Sequence, residues 1–422
     1  METPSTRIAT TDDSLSPHLR RMAVIAVTSL FFMWGFLTCL NDILVPHLKA
    51  VFDLNYFKAS LIQFSFFGAY FIMSLPSGMI VARWGFQRGM VVGLMTTGLG
   101  AWLFYPAATL LSYPLFLAAL FVLATGITLL QVSANPYISA LGNPATASSR
   151  LNLAQAFNSL GTTVAPRIGG WLILSAVPAA VVADKFVQAS SVRLPYLGLG
   201  LIAFLMAGTM ALLKLPVLKS VEEDQAHHHS FFGALKVRHL AFAVVGIFLY
   251  VGAEVSIGSY LINYLGLPLI AGFAPAAAAI YVSYYWGGAM IGRFIGAALL
   301  QKLKPHIVLG FSTIIATVLC LCGALSVGQV AFWAVIAIGF FNSIMFPTIF
   351  TLGIANLGHQ TSQGASLLIM AIVGGAIVPS LMGQAADMFG LQNAMFIPAV
   401  CYLYIVYYAF RESQPQVAGI AD

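Results

Sequence analysis

Charge is what this sequence has least of. Aspartate, glutamate, lysine and arginine together make up 8% of its 422 residues, against roughly a quarter in soluble globular chains. So thin a supply cannot cover the surface of a soluble fold this large, and a water-soluble protein is excluded. Cysteine is scarce too. Cys39, Cys320, Cys322 and Cys401 all fall within apolar runs, where buried thiols are expected and no disulfide framework follows. A Walker loop, a nucleophile–base signature and metal-ligand spacing within the apolar runs are likewise missing. Neither an enzyme nor a nucleotide-driven pump is expected, and no cofactor or metal.

What the sequence does have is apolar length. Sixty per cent of the residues are hydrophobic, gathered into runs of about 20, the number a helix needs to cross a ~30 Å hydrocarbon core. The runs lie near 22–46, 57–82, 88–109, 114–138, 151–177, 194–214, 239–264, 275–300, 306–326, 330–354, 365–387 and 393–410. An all-α integral membrane fold of about twelve transmembrane helices follows. The first run is preceded by Arg20-Arg21, as a signal peptide would be, but it is too long, contains Asn41-Asp42 and lacks a small-residue cleavage site. It is read as a span.

The net charge of +6 records topology rather than a nucleic-acid partner. Arg7, Arg20, Arg21, Arg83, Arg88, Arg150, Lys214, Lys219, Lys236, Arg238, Lys302, Lys304 and Arg411 fall on one side of the spans. Only Lys49, Lys58, Lys185 and Arg193 fall on the other. By the positive-inside rule both termini are expected in the cytoplasm, of a multi-pass protein in a bacterial inner membrane.

A polar stretch at 214–238 divides the chain into residues 1–213 and 239–422, each with six spans. It carries Glu222-Glu223-Asp224 and His227-His228-His229; three adjacent histidines can bind metal, but a solvated cytoplasmic linker is the expectation. The two halves repeat one another. Pro136-x-Ile138-x-x-Leu141-Gly142 recurs as Pro347-x-Ile349-x-x-Leu352-Gly353, 211 residues on, and Gly161 and Pro166 recur as Gly374 and Pro379, 213 residues on. Asp42 and Glu254 stand 212 residues apart. Landmarks kept in order within two residues of one offset imply parallel six-helix repeats, with a site expected between the halves near the midplane and Glu254 opposite Asp42. That is the organisation of the major facilitator fold.

Charge within a membrane helix costs at least ~2.5 kcal/mol per residue, so each buried example needs a reason. Four stand deep within spans: Asp42, Arg167, Glu254 and Arg293. Asp42 shares one helical face with Trp34, Thr38 and Asn41. The fourth span offers Gln131 and Asn135, the fifth Asn152, Gln155 and Asn158, the seventh Tyr250 beside Glu254, and the tenth Asn342. Amides and aromatic rings are what a neutral polyol needs, as hydrogen-bonding partners for hydroxyls and flat faces for a ring. Thr38, Asn41, Gln131, Asn135, Gln155, Asn158, Tyr250 and Asn342 are therefore candidate substrate ligands; helix-to-helix glue is the competing role. Asp42 and Glu254 are candidate proton-coupling groups, because a carboxylate removed from water can take a proton on one side and release it on the other. Glu254 has two other candidate roles, hydrogen bonding to the solute and pairing with Arg293.

Several runs carry a family resemblance: Asn41-Asp42-Ile43-Leu44-Val45-Pro46, Ala134-Asn135-Pro136-Tyr137 and Arg150-Leu151-Asn152-Leu153-Ala154-Gln155-Ala156-Phe157-Asn158 in the first half, with Tyr250-Val251-Gly252-Ala253-Glu254-Val255-Ser256 and Asn342-Ser343-Ile344-Met345-Phe346-Pro347-Thr348 in the second. In these the chain resembles the fucose:proton symporter and glucose/galactose permease branch of the major facilitator superfamily. The resemblance implies a monosaccharide as partner, proton coupling at Asp42 and alternating access. A monomer in the bilayer is expected; sodium coupling is the runner-up, and a sugar sensor or an exporter of another small solute the alternative. Two departures stand out. The expected gating loop of Gly78, Arg83 and Arg88 lacks the acid usual four residues after its glycine, where Ala82 stands. Gln131 occupies the position where fucose symporters carry a glutamate, and an amide cannot titrate, which points to the glucose/galactose side.

Overall fold

The computed structural model describes residues 17–54, 56–169, 185–216 and 231–413. Among them the chain is helical, with no strand. The long helices are α1 (Pro17–Val51), α2 (Tyr56–Trp84), α3 (Phe86–Thr109), α4 (Tyr113–Ala140), α5 (Ala147–Gly169), α6 (Arg193–Leu212), α7 (Arg238–Leu265), α8 (Pro275–Leu299), α9 (Pro305–Leu325), α10 (Gly328–Gly353), α11 (Gly358–Phe389) and α12 (Leu391–Glu412). Among the described residues ten are both long and apolar enough to cross a membrane. The other two, α5 and α8, are long enough, but α5 is rich in amide and hydroxyl side chains and α8 carries Arg293 and four aromatic residues with polar atoms. Large apolar side chains such as Leu194, Leu212 and Phe311 stand exposed, which suits a lipid-facing surface.

The expected loop between the second and third spans is shorter than the sequence suggested. α2 continues through Arg83 to Trp84, and α3 begins at Phe86. The turn is Gly85 alone, with φ 82°, a left-handed conformation that glycine adopts without strain. Arg83 and Arg88 are exposed on the helix ends and Gly78 is buried within α2. Charged residues can extend a helix beyond the bilayer, so polarity marks the membrane edge and not the helix end. Nearby Gln87 donates to the carbonyls of Met210 and Leu213 at 2.8 and 2.7 Å, closing the end of α6.

By contact the chain falls into two compact units. One holds Asp13–Tyr137 with Phe157–Leu218, and the other holds Ile138–Ala156 with Lys219–Asp422. In the first unit α1 and α5 approach until a methyl group at Gly161 would overlap the Phe32 carbonyl oxygen. In the second, α7 and α11 do the same, and a methyl at Gly374 would overlap the Phe248 carbonyl. Each repeated glycine thus lets a helix pack directly on a neighbour's backbone.

Arginines hold helix ends. Arg238 at the start of α7 grips Glu412 at the end of α12 through two bonds of 2.6 Å, with Tyr407 donating to the same carboxylate at 3.0 Å. Arg150 donates to the carbonyls of Ile138, Ser139 and Asn143 and to the Thr146 hydroxyl. A cation there satisfies the last carbonyls of α4 and opposes its dipole. The expected linker histidines and acidic residues lie outside the described residues.

Candidate functional site

Proline chemistry positions the central arginine. Pro347 has no N–H, so in α10 the carbonyl four residues earlier, on Ser343, loses its helical donor. Arg293 of α8 supplies one, its Nε donating to the Ser343 oxygen at 3.1 Å. The same guanidinium reaches α7 and α5. Nη2 lies 3.7 Å from Glu254 Oε1, and Nη1 donates to the Gln155 carbonyl at 3.4 Å. The side chains of Glu254 and Arg293 are each 12% exposed, so their charges compensate one another out of water. Tyr250, one turn before Glu254, donates to Oε1 at 2.7 Å. Of the roles open to Glu254, pairing with Arg293 is the one these contacts display.

Behind the pair lies a neutral network. Asn342 Nδ2 donates to the hydroxyls of Tyr285 at 2.8 Å and Tyr402 at 3.3 Å. Tyr285 in turn points its hydroxyl at the Glu254 carbonyl, 3.5 Å away. All three residues are buried. Asn342 thus bridges two tyrosine hydroxyls.

The other unit holds a counterpart. Gln131 of α4 donates from Nε2 to the Tyr70 hydroxyl of α2 at 2.9 Å, and both are buried. Gln131 precedes Asn342 by 211 residues, the offset of the proline landmarks, and Tyr70 precedes Tyr285 by 215. An amide on the fourth helix of each half thus holds a tyrosine on the second. Neither tyrosine figured among the sequence candidates. The offset pairs Gln131 with Asn342, but it sets Tyr70 against Tyr281, one helical turn before Tyr285.

The remaining candidates are placed as follows. Asn135 is fully buried in α4, Gln155 is buried in α5, and Thr38 is half-buried in α1. Asn158 donates to the Phe31 carbonyl of α1 at 3.0 Å, so its amide nitrogen ties two helices together. Asn152, expected among the polar residues of the fifth span, instead donates to the Ser148 carbonyl and the Thr348 hydroxyl. Asn41 and Asp42 belong to α1, but their side chains lie outside the described residues, as does that of Arg167. Among the described residues no three of His, Cys, Asp or Glu gather as a metal site would require.

Comparison with known proteins gives this architecture its family. The profile of the Major Facilitator Superfamily matches residues 23–379. The chain belongs to the major facilitator superfamily. Among its relatives in the family, a protein of Brucella abortus named glucose/galactose transporter is 53% identical over 394 residues, covering 93% of this chain and 94% of that protein. A protein of Escherichia coli named L-fucose-proton symporter is 40% identical over 403 residues, 92% of each chain. A crystal structure of the superfamily transporter FucP in the outward conformation aligns with a TM-score of 0.86 at 38% identity, over 93% of this chain and 98% of that one.

Proposed function

We propose that the protein is a secondary active transporter of a neutral hexose, moving sugar together with a proton by alternating access. The observation that carries this is the near full-length match to the glucose/galactose transporter, at 53% identity against 40% for the fucose symporter. The chemistry agrees. The buried amides and tyrosines around Gln131 and Asn342 are neutral hydrogen-bonding groups, suited to sugar hydroxyls and unsuited to an ionic solute.

In this reading Asp42 carries the proton. Gln131, Asn135, Gln155, Asn158, Thr38, Asn41 and Tyr250 supply hydrogen bonds and ring contacts to the sugar. Asn342 acts through Tyr285 and Tyr402, and Glu254 keeps Arg293 in place. The short turn around Gly78, Arg83 and Arg88 takes part in gating. The two six-helix halves, 1–213 and 239–422, are joined by a cytoplasmic linker at 214–238. The protein works as a monomer in the bacterial inner membrane with both termini in the cytoplasm.

A thermal-shift screen of the purified chain against hexoses, deoxyhexoses and amino sugars tests the substrate class. Glucose or galactose is expected to raise the melting temperature at concentrations where fucose does not. Stabilisation by amphipathic cations with no response to any sugar would point to an exporter instead. Uptake into proteoliposomes with a sodium gradient and no pH gradient separates the two coupling ions.

A further inference from the structure

We infer that Lys302, Lys304 and Arg411 form the headgroup site of one anionic phospholipid, whose acyl chains run along the exposed sides of α9 and α12. The site lies at the ends of helices, away from the Glu254–Arg293 pair, and does not depend on which solute is carried.

Negative charge is missing around the turn between α8 and α9. From residue 255 to residue 386 the sequence holds no aspartate or glutamate. Lys302 and Lys304 stand inside that stretch, in the turn itself. Of the acids at its borders, Glu254 is engaged by Arg293 and Tyr250. Asp387 lies at the far end of these helices, five residues before Gln392, which bonds the Ser326 carbonyl at the close of α9. Glu412, beside Arg411, is buried and taken by Arg238. Among the described residues neither lysine nor Arg411 has an ion pair or a side-chain hydrogen bond. All three are exposed, and nothing described in the chain neutralises them.

Packing brings the three together. Val308, in the first turn of α9, clusters with Leu300 just past α8 and with Ile344. Backbone bonds close the turn. The N–H of Leu303 donates to the Leu299 carbonyl at 2.9 Å, and that of Val308 to the Lys304 carbonyl at 3.2 Å. Both lysines are thereby held at the mouth of α9. From the other side comes α12. Gly310 has no side chain, and a methyl there would overlap the Phe410 ring. The ring rests on the backbone of α9, which sets Arg411 beside the first turns of that helix. All of these residues belong to one compact unit.

Each cation has an apolar neighbour in the open. Leu303 is exposed between the two lysines, and Phe410 is exposed before Arg411. Ile307 and Phe311, one turn apart, continue the exposed apolar surface along α9. A soluble anion would satisfy the charges and leave this surface bare. An acidic peptide would carry its backbone amides into hydrocarbon, where nothing pairs with them. A phospholipid offers both parts at matching depths, a charged headgroup at the bilayer edge and acyl chains against apolar helix faces. Basic pockets between transmembrane helices hold anionic headgroups in this way. Each basic side chain near an anionic surface contributes about fivefold in affinity.

The test uses the full chain, stripped of lipid in dodecyl maltoside and titrated with dioleoyl phosphatidylglycerol or dioleoyl phosphatidylcholine. Native mass spectrometry counts the bound lipid. Phosphatidylglycerol is expected to bind at least about tenfold more tightly than phosphatidylcholine. Lys302→Gln/Lys304→Gln is expected to weaken phosphatidylglycerol binding at least about tenfold, and Arg411→Gln about fivefold. Arg21→Gln/Lys214→Gln removes two exposed cations of the other unit and is expected to leave the affinity within about twofold. Equal binding of the two lipids overturns the proposal. So does an equal loss in the control pair, which would show an effect of general surface charge. Displacement of the phosphatidylglycerol by inorganic phosphate overturns the lipid in favour of a free anion. Melting temperatures of the variants without lipid are expected to match the parent's. Should the lysine pair fail to fold, Arg411→Gln decides alone, and an unchanged affinity in it overturns the site.

Discussion

Replacing Gln131 by alanine separates a substrate ligand from a structural tie. In the structure the amide is buried and donates to the Tyr70 hydroxyl at 2.9 Å. Alanine removes that donor and leaves the hydroxyl without it, a loss of about 1–3 kcal/mol for a buried partner. If the amide also meets sugar, alanine removes a second hydrogen bond, the one made in the bound state, at a similar cost. Binding is then expected to weaken roughly 5- to 150-fold, the equivalent of that same range. Tyr70→Phe removes the other half of the bond. Because the two residues share one interaction, the double variant should cost less than the sum of the singles by about 0.5 kcal/mol or more. Isothermal calorimetry against galactose gives the affinities, and thermal unfolding gives the stabilities. Normal affinity in Gln131→Ala with a lowered melting temperature would refute the ligand role and leave a pure helix tie. Gln131→Glu should add a pH-dependent step to transport, since it restores a titratable group where the fucose symporters carry one.

Further outcomes follow from other residues. Asp42→Asn is expected to bind sugar but no longer concentrate it, because a permanently neutral group mimics the protonated form; equilibrium binding and gradient-driven uptake measured on one preparation check this. Gly374→Ala and Gly161→Ala should each destabilise by about 1–3 kcal/mol, as overpacking does, since the added methyl meets backbone oxygen. Gly287→Ala, with nothing within 4 Å of the new carbon, should unfold like the parent. Glu254→Gln should lower the melting temperature by leaving Arg293 without its counter-charge, an effect of about 3–5 kcal/mol for a fully buried pair and less at this partial exposure. Glu254→Gln/Arg293→Gln should recover part of it, and a melting temperature equal to the parent's in the single variant would show that the pair contributes nothing.

The helices were legible in the sequence because hydrocarbon thickness imposes a length that soluble folds do not share. The repeat was legible because Gly161 and Pro166 recur as Gly374 and Pro379, and Pro136 as Pro347, within two residues of one offset; the structure adds that both glycines admit a neighbour's backbone. Helix ends were less so: α2 runs past Arg83 because charge marks the edge of the bilayer, not the end of the hydrogen-bond ladder. Side-chain direction was the main gap. Asn152, Gln155 and Asn158 read as one polar stripe, yet Asn152 turns to Thr348 and Asn158 to the Phe31 carbonyl. Spacing fixes the face of a helix but not the neighbour that claims each amide. Tyr70, Tyr285 and Tyr402 went unnoticed for a related reason, since a tyrosine in an apolar span looks like any aromatic until its hydroxyl finds a donor. Arg293 was visible as a buried charge. Its three partners depend on α5, α7 and α10 meeting, which no local pattern encodes.

The central claim is coupled sugar transport, and the most direct measurement is galactose accumulation in proteoliposomes under an imposed inward proton gradient. The account predicts that the intact chain concentrates galactose above the external level, that a proton ionophore abolishes the concentration, and that sodium has no effect. Uptake that stops at equal concentrations on both sides whatever the gradient would contradict it.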